Sequence, residues 1–219
     1  MQLVSADSSG HEANGTSAGG VVSGNGRYVA FDSVASNLAS GTTDENVFLK
    51  DLKTGAVTLI SGGEDGQAAN GESFGPVISP NGRYVAFDSS ASNLVPGDTN
   101  GQSDVFVKDL WTDSLSLTSI GFLHDGVDAT NYVQAVSNNG VVALESTATN
   151  LVQGDTNLSS DVFLSSAVAP RDLLGSSLYD RLIAGSGAPS SVWQHGNEPL
   201  TNVLDRSGAD ASSVGWHTV

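Results

Sequence analysis

The sequence predicts an all-β chain built from repeated four-stranded sheets, and three observations predict it. The first is repetition. One block begins at Asn25 (NGRYVAFDSVASNLASGTTDENVFLKDL), again at Asn81 (NGRYVAFDSSASNLVPGDTNGQSDVFVKDL), and in a more divergent form at Asn138 (NNGVVALESTATNLVQGDTNLSSDVFL). Asn25 and Asn81 are 56 residues apart and Val47 and Val105 are 58 apart, because the second copy has a loop two residues longer. A period of this size marks stacked supersecondary units. The second is the short apolar runs inside each copy, such as Tyr84-Val85-Ala86-Phe87 and Val105-Phe106-Val107, which suit strands buried on both faces. The third is the turn chemistry: Pro80-Asn81-Gly82 reads as a tight turn, and 26 glycines fit a chain of many short connections. Nothing in the repeats has helical periodicity.

Within the second unit the strands are expected at Gly75 to Ser79, Tyr84 to Ser89, Asp104 to Asp109 and Leu115 to Ser119. The aromatic residues Tyr28, Phe31, Tyr84 and Phe87 lie inside such strands and read as core. Shifted by 56 residues, Leu3-Val4-Ser5 falls on Leu59-Ile60-Ser61, and NGTSAGGVVS (from Asn14) on NGESFGPVIS (from Asn70). The chain is therefore expected to open in the last strand of a preceding unit. Four-stranded sheets at this period are the blades of a β-propeller, which closes with four to eight of them. Three blades fall short of a ring. The chain is expected to be part of a larger propeller, or else an open, curved array able to self-associate through its blade edges.

The residues SPNGRYVAFDS and SDVFVKDL resemble the TolB-like, WD-type propeller repeats of bacteria, which read S-P-D-G-R-Y-V-A-F-x-S and then D-V-F-V-x-D-L-x-T-G. The resemblance runs from about Leu3 to Ser165. Asn81 stands where that family often has Asp. In the third copy Val141 replaces the Arg-Tyr pair, and Ser165-Ser166 replaces Lys-Asp. Residues 1–167 are accordingly read as propeller blades and 168–219 as a Gly/Ser-rich tail. In nines, the tail gives GSSLYDRLI, AGSGAPSSV, WQHGNEPLT and, after three residues, DRSGADASS. This resembles a degenerate form of the calcium-binding nonapeptide of RTX-type β-rolls, with Asp180, Glu198 and Asp210 at the ligand position. The alternative is an irregular terminus with a short helix around Ser177 to Ala184.

Composition bounds the function. With 24 acidic and 8 basic residues, a net charge of −16, the chain lacks the basic patches that nucleic-acid phosphates require. With no cysteine, disulfides, thiolate metal sites and cysteine nucleophiles are excluded. The opening residues lack the basic start and apolar run of a signal peptide, and no apolar run is long enough to span a membrane.

The loop between the second and third strands carries the most chemistry. It reads GDTNGQSD from Gly97 and GDTNLSSD from Gly154. Asp98, Asn100 and Asp104, and likewise Asp155, Asn157 and Asp161, alternate oxygen donors as the first half of an EF-hand loop does, and can converge on Ca2+. The plainer alternative is Asx-turns shaping a hairpin. In the first unit Thr42 and Asn46 replace the two aspartates, so the metal is not needed by every blade. Two Gly-x-Ser-x-Gly matches, GTSAG from Gly15 and GESFG from Gly71, precede predicted strands rather than helices, which argues against a nucleophile elbow. His11, His124, His195 and His217 are scattered. Asp32, Asp88 and Glu145 occupy one repeat position and read as a rim of strand-end carboxylates. Arg27, Arg83, Lys50 and Lys108 are expected to pair with Asp51, Asp109 and neighbours, and Trp111 to cover a blade edge.

No residue set here makes a case for catalysis. The expected function is a non-catalytic protein-binding or scaffold module, calcium-stabilised, of a bacterial secreted or cell-envelope protein. The TolB resemblance implies protein or peptide partners and a periplasmic site. The RTX resemblance implies an extracellular one, reached by a C-terminal signal. The alternative is the propeller part of a larger hydrolase, such as a prolyl-oligopeptidase-like peptidase, whose catalytic domain lies outside these residues.

Overall fold

The computed structural model describes residues 1–63, 65–96, 98–121 and 127–166, and the strands within 179–200. All regular elements among the described residues are strands. The first sheet is β1 (Ser17–Val22), β2 (Tyr28–Ser33), β3 (Asn46–Asp51) and β4 (Val57–Leu59). The second is β5 (Ser73–Ile78), β6 (Tyr84–Ser89), β7 (Asp104–Asp109) and β8 (Ser114–Leu117). The third contains β9 (Asn131–Val136), β10 (Val141–Ser146) and β11 (Asp161–Ser166), joined by β12 (Tyr179–Ala184), β13 (Ser191–His195) and β14 (Glu198–Leu200). Every pairing is antiparallel between chain neighbours, so each sheet is a simple meander. The third sheet has six strands rather than four, because β12 pairs with β11 and the two further strands follow it. Where the alternative for the tail was a helix near Ser177 to Ala184, Tyr179–Ala184 is a strand on the β11 edge.

The sheets stack face to face, which explains the apolar runs. Alternate residues of a strand point to opposite faces, so a blade with a neighbour on each side must be apolar at every position. All six residues of β6 are buried. Tyr84 and Ala86 face the third blade, meeting Val133, Val142 and Leu144. Val85 and Phe87 face the first, meeting Ala30, Val47 and Leu49. Phe87 stacks on Phe106 at 5.8 Å between ring centroids, as Phe31 does on Phe48. In β11 burial alternates instead, and Val162 and Leu164 join Tyr132 as exposed apolar residues on one face of the third sheet. They hold the repeat positions of Val47 and Leu49, which the second blade covers.

Residues 3–5 form no strand. Leu3 corresponds to Leu59, the last residue of β4, so the segment matches the exit from that strand, and the bridge Ala6–Glu12 repeats the bridge Gly62–Ala68. Val4 and Ala13 cover Phe31 and Phe48 on the outer face of the first blade. Lys50 is buried and donates to the backbone carbonyls of Ala6 (2.9 Å) and Asp7 (3.1 Å) rather than to Asp51. Lys108 likewise turns from Asp109 to Asp113, at 2.6 Å. The arginines pair as expected, Arg27 with Asp51 and Arg83 with Asp109, each at 2.7 Å.

Two further joints tie blade to blade or blade to incoming segment. Asn14 exchanges hydrogen bonds with Ser36 and Asn37, and Asn70 repeats them with Ser92 and Asn93. Asp128 makes the third version with Thr149 and Asn150. At the turns, the Asn25 Nδ2 donates to the carbonyl of Asn81 (2.9 Å), and the Asn81 Nδ2 to that of Asn138 (3.1 Å). This explains why Asn stands where the resembling repeats have Asp: a carboxylate has no proton for the next turn's carbonyl. In the third turn Ser137 Oγ donates to Asn139, as Ser79 Oγ does to Asn81, so Asn138 takes the place of Pro80.

Substituting Asn81→Asp therefore removes an inter-blade donor while keeping the turn. We expect a loss of about 1–2 kcal/mol in urea unfolding, in the range for a hydrogen-bond partner removed, with Asn81→Ala losing at least as much.

Candidate functional site

The loop of the second unit runs into β7, and its three predicted donors do come together. Asp104 opens β7 with no exposure, and Asp98 is 8% exposed. The Asp104 carboxylate accepts from Ser119 Oγ (2.7 Å) and Asn100 Nδ2 (2.8 Å), with Asn131 Nδ2 from the third blade at 3.4 Å. Asn100 also accepts from the Gln102 N–H, so it forms an Asx-turn and turns its nitrogen, not its oxygen, toward Asp104. In the third unit, Asn157 likewise donates to Asp161 (2.9 Å) and accepts from the Ser159 N–H (2.8 Å). Asp155 and Asp161 are buried beside it. In both loops the asparagine positions the closing aspartate.

Electrostatically the second loop is an unusual place. Burial pushes the Asp98 carboxyl up to about 6, and the nearby Asp104 charge adds to the effect. Burial raises Asp104 as well, against the bonds from Ser119 and Asn100. The first unit carries the neutral version. Thr42 Oγ1 donates to the carbonyls of Ala35 (3.3 Å) and Ala39 (3.2 Å), and Asn46 takes the bond from Ser61 that Asp104 takes from Ser119. Among the described residues there is no group of three or more His, Cys, Asp or Glu placed to hold a metal. Any ion in these loops would need amide, hydroxyl or carbonyl oxygens beside the two carboxylates.

The tail residues are placed only in part. Asp180 lies in β12 opposite Gln194, Glu198 lies in β14 opposite His195, and Asp210 lies outside the described residues. Neither Gly-x-Ser-x-Gly match leads into a helix. Ser17 and Ser73 open β1 and β5 and bond Ser33 (2.9 Å) and Ser89 (2.8 Å). His11 pairs with Asp7 on the surface, and His124 lies outside the described residues.

Asp32 and Asp88 are not the solvated rim their repeat position suggested. They are 5% and 3% exposed and reach into the next blade. Asp32 Oδ2 accepts from the Gly75 N–H (3.3 Å) and Asp88 Oδ1 from the Val133 N–H (2.8 Å). The strand that donates this N–H has its register shift here. Gly75 has φ +61°, and a Cβ at Gly19, its counterpart in the first unit, would stand 2.3 Å from Asp32 Oδ2. Glycine at Gly19 leaves room for the aspartate of its own blade; in the third unit Val133 takes this position and the own-blade acid is Glu145. Glu145, at the same position in the third blade, bonds Ser160 and Gln134 of its own blade. Repetition of an acid every 56 or 57 residues was the available signal, but the donating N–H groups carry none.

Burial pushes Asp88 up to about 7 against the opposing Val133 bond. A raised carboxyl favours folding while protonated, so this contribution is complete below 3.8 and is lost as the pH rises through about 7. Asp88→Asn keeps an acceptor for Val133 without the charge. We expect its stability relative to the parent to rise from pH 4 to pH 7 and then level off, read from denaturant unfolding at each pH.

No protein-family model and no curated protein matches the chain. Solved structures do. TolB from Acinetobacter baumannii is 16% identical with a TM-score of 0.43, over 87% of this chain and 44% of that one. A TolB-type protein of Agrobacterium tumefaciens is 18% identical with a TM-score of 0.42, over 70% and 46%. A prolyl endopeptidase is 15% identical with a TM-score of 0.41, over 88% and 29%. The chain thus spans less than half the length of the TolB structures it resembles.

Proposed function

We propose that the chain is a non-catalytic, protein-binding propeller module of a bacterial envelope or secreted protein. The observation that carries this reading is Trp111. It is 73% exposed, not folded over a blade edge, yet its ring is held in place. The Arg83 guanidinium lies 4.6 Å from the Trp111 ring centroid and 4.7 Å from that of Tyr84, and is itself fixed on Asp109 by three hydrogen bonds. An exposed aromatic side chain already ordered by its neighbours gives up little entropy on binding, which is what an interface anchor needs. The chemistry-bearing residues that a hydrolase would use are committed elsewhere: Ser17 and Ser73 to serine pairs, Asp32 and Asp88 to the blade joints. No helix among the described residues is long and apolar enough to cross a membrane.

A photo-cross-linker beside Trp111, at Thr112, presented to a bacterial envelope fraction, tests the reading. We expect a discrete protein adduct, reduced at least tenfold by Trp111→Ala, at an unfolding free energy within about 0.5 kcal/mol of the parent, as befits a surface substitution. An adduct indifferent to Trp111, or covalent labelling of a chain serine by a fluorophosphonate, would overturn it.

A further inference from the structure

The seam between the second and third blades buries negative charge with nothing positive to meet it. Asp98 and Asp104 are 8% and 0% exposed, and among the described residues no Lys, Arg or His pairs with either. No donor among the described residues reaches Asp98. Its counterpart Thr42 gives its proton to two backbone carbonyls, whereas Asp98 puts an ionisable acceptor at that repeat position. Two buried polar oxygens on residues next to Asp104 also have no hydrogen-bond partner among the described residues: Ser103 Oγ and Asn131 Oδ1. Asn131 has no exposure; its Nδ2 faces Asp104 Oδ1 (3.4 Å) and the Ser103 carbonyl (3.3 Å) from the neighbouring blade, and Oδ1 is the atom left without a partner.

Hydrogen bonds to Asp104 do not cancel its charge, and a second buried carboxylate beside it, with orphaned neutral oxygens nearby, is a costly arrangement. One hard cation resolves all of them together. We propose that Asp98 and Asp104 of the second blade and Asn131 Oδ1 of the third bind a calcium ion, with Ser103 Oγ beside it, and that the ion joins two blades rather than closing a single loop. An all-oxygen set with only two carboxylates and neutral amide and hydroxyl donors suits calcium better than magnesium, which demands a tighter octahedron, or zinc, which favours nitrogen and sulfur. The first seam serves as the internal reference. It carries Thr42, Asn46 and Ser73 at the positions of Asp98, Asp104 and Asn131, and every one of these makes neutral hydrogen bonds. The charge and the orphaned oxygens thus occur at the same seam.

That comparison supplies variants whose residues the fold already accepts. The test is thermal unfolding of the full 219-residue chain, stripped of metal and titrated with calcium or magnesium chloride. Calcium is expected to raise the midpoint of the parent with an apparent affinity in the submillimolar to millimolar range typical of extracellular modules. The double substitution Asp98→Thr/Asp104→Asn is expected to fold and to lose the shift. Asn131→Ser should weaken the apparent affinity about tenfold, since affinity follows the number of ligands, while Asp155→Thr/Asp161→Asn leaves the shift in place. No shift at ~10 mM calcium, beyond the weak end of such sites, overturns the proposal. So does an equal shift with magnesium, a shift that survives Asp98→Thr/Asp104→Asn, one lost only with Asp155→Thr/Asp161→Asn, or indifference to Asn131→Ser.

Discussion

The whole assembly depends on how one blade accepts the next. A sheet in the middle of the stack is dry on both faces, so any backbone group that its own ladder leaves unpaired must be met from a neighbour. The first strand of each later blade bulges, and an N–H at the bulge, on Gly75 or Val133, is met by a carboxylate from the blade before it. That bond fixes the sliding register between sheets that the surrounding Val, Ala and Phe side chains, being non-directional, leave open. The ionised form of Asp88 is strained by the burial it serves, and the stacking of Tyr84, Val85 and Phe87 around it sustains that burial.

Much of this architecture was legible because the chain repeats itself. Two strands of the second unit, Tyr84–Ser89 and Asp104–Asp109, fall where the apolar runs placed them. The other two differ by at most two residues at either end, since the turn residues flanking them set a looser limit. Burial on both faces followed from the unbroken apolar runs. What was not legible involves partners far apart in sequence. Asp88 reads as the polar end of a strand until Val133, 45 residues on, is found bonded to it. Lys50 reads as a partner for Asp51 until the carbonyls of Ala6 and Asp7 close over it. The polar loops were half legible: the alternation of oxygen donors singled out Asp98, Asn100 and Asp104, but not the inward role of Asn131, which lies in a strand of the following blade.

The two seams also show that sequence divergence among repeats is not evenly spread. The hydrophobic contacts are nearly interchangeable, with Phe31 and Phe48 in one blade and Phe87 and Phe106 in the next. The polar positions at the loop base are where units differ, Thr42 against Asp98 and Asn46 against Asp104, although the hydroxyl of Ser61 addresses Asn46 as that of Ser119 addresses Asp104. The packing constrains shape and volume at every blade, whereas the loop base needs only a consistent set of donors and acceptors, and more than one set is consistent.

The turn-to-turn bonds from Asn25 to Asn81 and from Asn81 to Asn138 have a direction: each unit offers an amide proton forward and a carbonyl backward. A single unit therefore carries both halves of the joint. A duplicated copy inserted beside its parent arrives already compatible with the units on either side. Head-to-tail polarity of this kind lets a gene lengthen or shorten the array by recombination without inventing a new interface, which is compatible with two adjacent units that share nine consecutive residues.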